Sequence, residues 1–567
     1  MSLTGKKWQL YKPEKESSKR LAEETKTSPI TSQILINRGI STASDAGDFL
    51  NPKLASLFDP SDIPGMQEAT ERVKLAEKRG EKVAVYGDYD VDGVTGTSIM
   101  LITLKNLGIQ ATYYIPHRYD EGYGMNIDAV SKLNSEGVKL IITVDCGISN
   151  LAEIEHANSL GIDVIVTDHH NPPKILPKAL AIIDPKLMSK EHRSRELSGA
   201  GVAFKFAWGL YRAFGIKDSR DLISMLDLAG LGTIADIVPL IDENRILAVY
   251  GVKSLNENPR PGIKALIDAA RIKKRITTNS VNFMISPRIN AAGRLEHARL
   301  SVELLTSDDP DKVKELANTL SKVNTKRQEI GNEIKESAFS KIDESDLPKL
   351  VMIEGEGWHP GVIGIVASRI VDKFYCPAIL IGVNNGIGRG SARSVDGLDI
   401  YEVLEKCKDL FIDFGGHKKA AGFEIDKDNI PELQKRVKKI VAEMLPSDDL
   451  MPKLLIDTEV SAGQINMSLA TEIQSLGPFG EGNPVPLLLT RKLKLLEQRR
   501  VGNGSHLKAR FTDGKVTLEA IGFGLGDMED QIRFGHDYDI VYNLEVNEFN
   551  GFETAQLKLV DISDQNN

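Results

Sequence analysis

Three aspartates at alternate positions are the residues whose types and spacing most clearly predict chemistry. Asp88, Asp90 and Asp92 follow directly after residues 83–86, a short apolar run that is typical of a buried strand. Carboxylates a few ångström apart repel one another when they are ionised, and bound cations relieve that repulsion. The segment therefore predicts a metal site at the end of a strand.

Two other interpretations of this segment compete with such a site. A calcium-binding EF-hand loop also begins D-x-D-x-D-G, but its twelfth position is a glutamate and its flanks are helices. The twelfth residue counted from Asp88 is Ile99, and the residues before Asp88 are expected to form a strand. The aspartates could instead cap a helix that begins near Thr95, although capping accounts for one carboxylate rather than three. The calcium loop is therefore disfavoured, and capping stays open.

Strands alternate with helical segments after the aspartates. We expect strands at residues 83–86, 111–115, 140–144 and 164–166, and helices at 96–107, 127–135 and 151–159. This alternation predicts a parallel sheet with helices on both faces, whose ligands bind at the carboxyl ends of the strands. Asp145 and the triplet of Asp168, His169 and His170 each follow one of these strands. We therefore expect them to lie beside the three aspartates.

A further carboxylate lies within the apolar segment 227–240. Asp236 interrupts that segment, and an isolated carboxylate in apolar surroundings is costly unless it is paired or binds a metal. A position at a helix end or facing solvent is the alternative. Because the other acidic residues are expected at one crevice, we assign Asp236 to the same metal site.

Length and composition describe an acidic globular chain of several domains. Its 567 residues exceed the about 250–300 at which single cores stop growing, so we expect roughly two to four domains. The net charge of −9 argues against general binding to polyanions, but local basic residues or bound cations allow a nucleic-acid partner. The three cysteines include no CxxC pair, and no segment resembles a signal peptide or a membrane span. We therefore expect a cytoplasmic protein without membrane contacts.

A long predicted helix separates the first α/β region from a second one. Apolar residues at helical spacing run through 308–339, and a helix of ~30 residues spans about 45 Å, enough to join two lobes across a groove. A strand at 350–353, a glycine-rich turn with His359 and a helix at 361–370 follow. Glycine-rich segments at 388–394 and 414–423 come next, and glycine lets backbone N–H groups approach a phosphate closely. We therefore expect an anion-binding lobe.

Short alternating strands after a loop at residues 446–449 predict a small β-barrel. Apolar and basic residues alternate through 507–511, and turns are expected at Asp513-Gly514 and at Asn550-Gly551. Basic residues that could line a groove for a polyanion are Arg491, Lys492, Lys494, Arg499, Arg500, Lys508 and Arg510. A barrel face that is merely solvated is the alternative interpretation.

The chain resembles the DHH phosphoesterase superfamily, which is named for the triplet of Asp168, His169 and His170. The segments that carry the resemblance are GDYDVDGVTG, TVDCGIS, VTDHHNPP, LGTIADIVPL, SPRINAAGRL, GWHPGVIGIVASR, GRGSARS, FGGHKKAAGF and LGPFGEGNPVP. Their order is similar to that of the bacterial single-strand-specific 5′→3′ exonucleases of the superfamily. The resemblance covers essentially the whole chain.

The resemblance implies an α/β protein with an additional all-β domain. It places a parallel-sheet DHH catalytic domain at residues 65–300, a connecting helix at 301–343 and a smaller α/β DHH-associated domain at 344–446. An OB-fold barrel that binds nucleic acid is expected at 447–567, and residues 1–64 are expected to form lead-in helices and loops.

The resemblance also implies roles for the acidic residues. It implies two divalent cations, Mn²⁺ or Mg²⁺, bridged by Asp145, and oxygen ligands without thiolates favour the same metals. The expected ligands are Asp88 and Asp90 for one ion, and Asp92, His169 and Asp236 for the other. Asp145, His169 and His170 are the expected catalytic residues, with His170 contacting phosphate or supporting the ligands. Many relatives have a histidine at the position of Tyr86, so Asp88 is expected to replace it as a ligand.

Six residues are expected to bind substrate. They are Arg118, Arg288, His359, Ser391, Arg393 and His417. The resemblance implies that Ser391 and Arg393, with Arg118, bind the terminal 5′-phosphate, and an arginine fork matches phosphate oxygens. A surface ion pair is the alternative role for each arginine.

The implied function is hydrolysis of single-stranded DNA from the 5′ end into 5′-mononucleotides by a two-metal mechanism, in recombination and repair. One alternative is a DHH phosphodiesterase for short oligonucleotides or cyclic dinucleotides, which the barrel and the length of the chain argue against. Another is a non-catalytic relative that only binds single strands, which the presence of every expected ligand argues against. The candidate protein partners are a helicase and a single-strand-binding protein, and a monomer is expected.

Overall fold

The structure is a computed structural model that describes residues 2–445, 451–549 and 551–565. The chain divides into two compact units. The larger unit combines residues 10–323 with 456–567, and the smaller unit combines residues 1–9 with 324–455. In the described part of the chain, none of the helices is both long and apolar enough to cross a membrane.

The first half of the chain is built from helices around one sheet. The strands of this half are β1 (Lys7–Leu10), which belongs to another sheet, and β2 (Lys82–Gly87), β3 (Ala111–Tyr114), β4 (Val138–Val144), β5 (Asp163–Thr167) and β6 (Ala181–Ile183). The helices up to β5 are α1 (Lys15–Thr25), α2 (Pro29–Asn37), α3 (Ala43–Leu50), α4 (Met66–Arg79), α5 (Val91–Asn106), α6 (Ile127–Ser135) and α7 (Leu151–Ser159). The helices after β6 are α8 (Gly199–Ala213), α9 (Arg220–Ser224), α10 (Leu226–Ala235), α11 (Asp242–Glu257), α12 (Pro261–Ala269), α13 (Thr278–Ser280), α14 (Ser286–Leu295), α15 (Arg299–Thr306) and α16 (Pro310–Phe339). A π-helical turn, Val281–Ile285, precedes α14.

The predicted parallel sheet is confirmed. Its five strands pair in the order β3-β2-β4-β5-β6, all parallel. Side chains of β2 alternate between the two faces, so Val83 and Val85 enter one apolar core whereas Ala84 and Tyr86 enter another. The sequence pattern did not reveal β6, because its three residues are too few to show a periodicity. This sheet places the carboxyl ends of β2, β4 and β5 next to one another.

The helix after the three aspartates begins earlier than the sequence predicts. It starts at Val91 rather than at residue 96, and Asp90 is its N-cap, whose side chain accepts a hydrogen bond from the Gly93 N–H at 3.1 Å. Aspartate and glycine disfavour helix interiors, which is why the pattern placed the start too late. The capping interpretation therefore holds for Asp90 and leaves Asp88 and Asp92 to be explained.

The smaller unit contains a mixed sheet with helices. Its strands are β7 (Val351–Glu356), β8 (Ala378–Asn384), β9 (Ile387–Arg393), β10 (Phe411–His417) and β11 (Ala420–Asp426), and they pair in the order β10-β11-β9-β8-β7. Its helices are α17 (Pro360–Phe374), α18 (Ile400–Glu405) and α19 (Ile430–Met444). The strand β12 (Lys453–Ile456) pairs with β1, which attaches the first residues of the chain to the end of this unit.

The glycines at 388 and 390 do not form a phosphate-binding loop, contrary to the sequence-based expectation. Both lie in β9, and the hydrogen-bond ladders to β8 and β11 occupy the backbone N–H groups of that strand. They serve packing instead, because a Cβ on Gly390 would lie 2.1 Å from the ring of Phe423 and one on Gly388 would lie 3.0 Å from Ile381. Any anion site on this strand must therefore use side chains.

The C-terminal part of the larger unit is a closed barrel, which confirms the OB-fold expectation. Its elements are β13 (Thr458–Glu459), α20 (Met467–Ser475), β14 (Leu488–Val501), β15 (His506–Thr512), β16 (Thr517–Gly522), β17 (Asp537–Phe549) and β18 (Phe552–Asp564). The five strands from β14 to β18 close because β17 pairs with both β18 and β14. Leu507, Ala509 and Phe511 are buried, as their alternation predicts. Residues 446–449 and Asn550, where a loop and a turn were predicted, lie outside the described residues.

Several of the basic residues assigned to a barrel groove are neutralised by neighbouring acids, which corrects the expectation of local positive charge. The pairs are Arg491 with Glu459 and Asp539, Arg500 with Glu529 and Asp530, Lys508 with Glu519, and Arg510 with Glu497. Lys492, Lys494 and Arg499 are exposed. The barrel surface therefore mixes both signs of charge.

Candidate active site

Acidic and histidine side chains meet at one edge of the parallel sheet. Three groups have ligand atoms that lie within 4.8 Å of one another. They are Asp88, Asp90 and Asp145; Asp92, His169 and Asp236; and Asp145, His169 and His170. Asp145 and His169 each belong to two groups, so the groups form one continuous cluster. The structure thus brings together all the residues that the sequence analysis assigned to metal ions.

Asp145 lies at the centre of the cluster in an unusual backbone conformation. It follows β4 directly and has a φ of +62°, a left-handed backbone conformation that residues other than glycine rarely adopt. Its N–H donates to the Thr167 carbonyl at 3.0 Å, which links the ends of β4 and β5. Gly199 packs against its side chain, since a Cβ there would lie 2.8 Å from the Asp145 Cβ. Strained backbone of this kind is concentrated at functional sites.

Asp92 is held by the N-terminus of α8. Its carboxylate accepts hydrogen bonds from the Gly199 N–H at 2.5 Å and from the Ala200 N–H at 2.9 Å. The first N–H groups of a helix have no partner within the helix, so they favour a carboxylate. The sequence analysis missed this contact, although Gly199 and Gly201 at a helix start were a signal for a close approach. The side chain of Asp92 is therefore oriented before any metal binds.

Burial makes the ionised cluster unfavourable without cations. Burial, and then repulsion from Asp90, raises the pKa of Asp88 well above its usual range. Burial, and then repulsion from Asp92, raises the pKa of Asp145 in the same way and the pKa of Asp236 to about 8. Positive charge placed among these carboxylates would lower all three pKa values.

Unsatisfied atoms show that the cluster fits divalent cations. In the part of the chain that the structure describes, Asp88 Oδ1, Asp145 Oδ1 and His169 Nε2 are buried without a hydrogen-bond partner. Buried polar atoms rarely lack a hydrogen-bond partner unless they bind an ion or a water molecule. A set of carboxylates with few imidazoles and no thiolate suits Mn²⁺ or Mg²⁺.

The two histidines of the triplet have different surroundings. His169 Nε2 lies 3.0 Å from Asp145, with 10% of its side chain exposed. His170 Nδ1 lies 2.7 Å from Asp168 Oδ1, with 35% of its side chain exposed. Asp168 is buried and also accepts hydrogen bonds from the N–H groups of Ile148 and His169, so it orients the triplet. This geometry favours His169 as a metal ligand and leaves His170 accessible to a substrate.

Two residues beside the cluster were missed by the sequence analysis. Tyr123 donates a hydrogen bond to the Asp145 carbonyl at 3.0 Å, and its hydroxyl lies 3.2 Å from His170 Nδ1. Asp184 is buried directly after β6, and burial raises its pKa to about 7. Recognising β6 would have revealed Asp184, because residues that follow parallel strands gather at one edge. Tyr123 lies in a loop and gave no such signal.

Arg118 lies beside the cluster of acidic and histidine side chains. Its guanidinium is 4.7 Å from the ring centroid of Tyr89, within the range of a cation–π contact. Burial and Asp90 raise the pKa of Asp88, and the charge of Arg118 opposes that rise. The predicted substrate contact is therefore close enough to the acidic site to act electrostatically on it.

Arg288 lies on a helix that packs against the loop of Asp88, Tyr89 and Asp90, the candidate metal-binding loop. A Cβ on Gly293 of α14 would lie 2.7 Å from the Tyr89 carbonyl oxygen, so the glycine permits this close approach. Arg288 Nε donates to Ser321 Oγ at 3.2 Å, and its Nη1 donates to the Met284 carbonyl. These contacts give the guanidinium a defined position.

Three of the predicted substrate-binding residues gather in the smaller unit at the start of α17. Ser391 and Arg393 project from the same face of β9, and Arg393 Nη1 donates to Ser391 Oγ at 3.1 Å. Gly364 of α17 makes room for them, since a Cβ there would lie 2.8 Å from Ser391 Oγ. His359 is the N-cap of α17 and accepts a hydrogen bond from the Gly361 N–H at 3.0 Å. A helix N-terminus beside an arginine favours an anion.

His417 lies further along the same sheet. It is exposed at the end of β10 and pairs with Ala420, which pairs in turn with Arg393 on β9. Two strand spacings, about 10 Å, therefore separate His417 from Arg393. The sheet register aligns the two residues without bringing them into contact.

Comparison with known proteins matches consecutive parts of the chain to three family models. These are the DHH family N-terminal domain at residues 82–233, the DHHA1 domain at 347–443 and the RecJ OB domain at 456–561. The chain is 38% identical over 560 residues to the single-stranded-DNA-specific exonuclease RecJ of Bacillus subtilis, covering 98% of this chain and 70% of that protein.

Two crystal structures of RecJ from Thermus thermophilus have a similar fold. The complex with Mn²⁺ matches with a TM-score of 0.86 and 30% identity, over 98% of this chain and 79% of that chain. The complex with Mg²⁺ matches with a TM-score of 0.79 and 28% identity, over 98% of this chain and 78% of that chain. Since the similarity runs through all three matched domains and nearly the full length, this chain belongs to the family of RecJ single-stranded-DNA-specific exonucleases.

Proposed function

We propose that this chain is a metal-dependent exonuclease that hydrolyses single-stranded DNA from the 5′ end and releases 5′-mononucleotides, in recombination and repair. The observation that carries the proposal is the buried cluster around Asp145, where unsatisfied atoms of Asp88, Asp145 and His169 converge. Membership in the family supports the activity, because its named relatives are single-stranded-DNA-specific exonucleases. Two similar crystal structures contain Mn²⁺ or Mg²⁺, which supports the dependence on metal.

We assign two divalent cations, Mn²⁺ or Mg²⁺, to the cluster. The assigned ligands are Asp88 and Asp90 for one ion, Asp92, His169 and Asp236 for the other, and Asp145 for both. The grouping of the ligand atoms supports this division, because Asp88 and Asp90 group with Asp145 whereas Asp92 and Asp236 group with His169. A pair of such ions supplies activation of a water molecule and stabilisation of charge on the phosphoryl oxygens.

The histidine triplet and its neighbours position the substrate phosphate. The contact of His170 Nδ1 with Asp168 Oδ1 at 2.7 Å fixes the ring, and Nε2 of the protonated ring would donate to a phosphate oxygen. The Tyr123 hydroxyl lies 3.2 Å from the same Nδ1 atom, and the two ring centroids are 5.7 Å apart. We therefore assign His170 to the reacting phosphate and not to a metal ion.

Recognition of the 5′-phosphate is assigned to Ser391 and Arg393. Their contact with the N-terminal part of α17 supports this role, because arginine forks and helix N-termini both favour phosphate. Four further residues are assigned to phosphates or to the strand in general: Arg118, Arg288, His359 and His417. Holding the terminal phosphate is the physical basis proposed for the 5′→3′ polarity.

The barrel supports a polymeric substrate over a small one. OB-folds bind single strands through grooves and stacking aromatic side chains, whereas a dinucleotide needs no such module. Phe523 is 53% exposed at the end of β16, and the His506 ring lies 5.1 Å from it. These features favour an exonuclease for long strands over a hydrolase for short oligonucleotides or cyclic dinucleotides.

We further propose that the chain acts as a monomer in the cytoplasm and receives its strands from a helicase and a single-strand-binding protein. Its three cysteines, Cys146, Cys376 and Cys407, are buried and free, which suits a reducing compartment. Light scattering at several concentrations tests the monomer. Co-purification from cells with and without nuclease digestion tests whether the partners bind the protein directly or through DNA.

The decisive experiment digests a long strand labelled at either end in the presence of Mn²⁺, Mg²⁺ or EDTA. We expect mononucleotides to appear first from the 5′ label, with either metal and not with EDTA. A duplex and a dinucleotide serve as comparison substrates. Release from the 3′ label, or faster hydrolysis of the dinucleotide, would contradict the proposal, and binding without cleavage would assign the chain a purely strand-binding role.

A further inference from the structure

Tyr86 lies near the end of β2, two residues before Asp88. Its side chain is fully buried and lies in the apolar core on one face of the sheet, together with Ala84 and Met125. The hydrogen bonds of its hydroxyl run to a loop and not to the aspartates. The hydroxyl donates to the Gly124 carbonyl at 3.1 Å and accepts from Asn126 Nδ2 at 3.3 Å. Its function in this chain must therefore differ from metal binding.

A second series of side-chain contacts links the same loop to the neighbouring strand. The ring of Tyr86 stacks on that of Tyr114 in β3, with centroids 5.2 Å apart. The Tyr114 hydroxyl donates to Glu121, which also accepts from the His117 N–H at 2.5 Å and from Asn126 Nδ2 at 3.1 Å. Hydrogen bonds near both ends of the loop at residues 117–126 thus connect it, directly or through Glu121, to the two tyrosines.

The fastened loop carries two side chains that reach the metal cluster. Arg118 follows His117 and stacks on Tyr89 within the metal-binding loop. Tyr123 precedes Gly124 and donates to the Asp145 carbonyl at 3.0 Å. Each of these two residues is therefore adjacent in sequence to one of the fastening points.

We propose that Tyr86 is a positioning residue, which anchors the loop at residues 117–126 and thereby places Arg118 and Tyr123 against the metal cluster. The inference rests on the proposed function, because those two side chains act on the substrate only if the cluster is the catalytic site. The position before the aspartates then serves substrate alignment through the loop, while Asp88 supplies the metal ligand.

The test removes one hydroxyl group. Tyr86→Phe keeps the ring and its stacking but deletes both hydrogen bonds to the loop. Tyr211→Phe is the matched control: Tyr211 is 3% exposed in the same unit, and its hydroxyl accepts from Asn106 at 3.0 Å at the end of α5 remote from Asp92. We expect Tyr86→Phe to lower kcat/KM about 10-fold or more, as loss of supporting contacts around metal sites typically does, and Tyr211→Phe to leave it unchanged.

Two readouts separate loop positioning from general damage. Hydrogen exchange of the amides at residues 117–126 should accelerate in Tyr86→Phe and not in Tyr211→Phe. The Mn²⁺ affinity measured by calorimetry should be the same in both variants and in the wild type, because Tyr86 is not a ligand. Tyr86→His should not raise the Mn²⁺ affinity, because the side chain at this position faces the loop and not the aspartates.

The outcomes distinguish this inference from the proposed function. A wild-type protein that does not cleave strands overturns the proposed function, while hydrogen exchange and Mn²⁺ binding still report on the loop. A Tyr86→Phe variant with the activity and exchange of the Tyr211→Phe control overturns the positioning role. Parallel losses of activity and Mn²⁺ affinity, or tighter Mn²⁺ binding by Tyr86→His, overturn it as well and assign the position to the metal site.

Discussion

The Nε2 atom of His169 lies 3.0 Å from the Oδ1 atom of Asp145, yet neither atom has a hydrogen-bond partner within the described residues. The two residues follow different strands, β5 and β4, whose carboxyl ends lie side by side. Two buried polar atoms that face the same space without a hydrogen bond are a favourable setting for a cation. This relationship connects the two halves of the proposed metal centre.

Replacing Asp145 should separate catalysis from strand binding. We expect Asp145→Asn to lower the cleavage rate by more than about 100-fold. Replacing a residue that only supports the ligands of a metal site already lowers metal affinity or activity by about 10- to 100-fold, and Asp145 is assigned as a ligand itself. Binding to single strands should persist in gel-shift assays, since the barrel is untouched. Asp268→Asn, at an exposed position on α12, is the control. Cleavage by Asp145→Asn at the control rate would refute the bridging role.

The metal-free protein should lose stability as the pH rises. Burial, and then repulsion from Asp92, raises the pKa of Asp236 from 3.8 to about 8. Between these values the folded protein retains a proton that the unfolded chain has released, so the free energy of unfolding falls with rising pH. Thermal melts in EDTA should therefore show a lower Tm at about pH 7.5 than at about pH 5, and Mn²⁺ should restore it. The decrease should be smaller in Asp236→Asn, and an identical decrease would contradict this origin.

Gly199 should be intolerant of a side chain. A Cβ at this position would lie 2.8 Å from the Asp145 Cβ, so Gly199→Ala must displace the carboxylate at the centre of the cluster. Misplacement of a catalytic group by about 1 Å can cost about 100-fold in rate, which is the loss we expect in steady-state assays. Gly47→Ala is the matched control, because that helical glycine has open space around it. Equal activity of the two variants would show that the site tolerates the displacement.

Arg393 should determine the preference for a 5′-phosphorylated end. Hydrogen bonds to charged groups contribute about 1.5–3 kcal/mol, so Arg393→Ala should reduce the ratio of kcat/KM for phosphorylated over hydroxyl ends by about 10- to 100-fold. Arg389→Ala is the control on the same strand, where the guanidinium is paired with Glu424 at 3.3 Å. If both variants keep the wild-type ratio, the phosphate is bound elsewhere.

Freeing the paired cations of the barrel should strengthen strand binding. Glu497 pairs with Arg510 at 3.2 Å, and Glu519 pairs with Lys508 at 3.6 Å. The double variant Glu497→Gln and Glu519→Gln should bind strands more tightly. Each additional phosphate contact should steepen the slope of log affinity against log salt by about 0.7. Glu432→Gln, which removes an ion pair in the smaller unit, should leave the slope unchanged. A double variant with the wild-type slope would show that this face does not contact the backbone.

Local sequence patterns predicted the catalytic sheet well. The runs before Asp88, Asp145 and Asp168 are apolar and β-branched, and the structure has a parallel strand before each. Strand periodicity depends on neighbouring residues only, which is why the sequence alone reveals it. The short strand β6 was not predicted, because three residues show no periodicity. The early start of α5 was not predicted either, because Asp92 in its first turn is stabilised by a hydrogen bond from a different helix.

The sequence by itself determined the chemistry of this protein: carboxylates and histidines behind parallel strands, a second α/β region and a C-terminal barrel. Only the tertiary structure decided which groups face one another. Asp92 meets the N-terminus of a helix 107 residues away, and the turn at Asp145 has a left-handed backbone. The glycines of β9 serve packing, and several cations of the barrel are paired with acids. These features depend on contacts between distant segments, and a residue type compatible with several roles does not specify its partner.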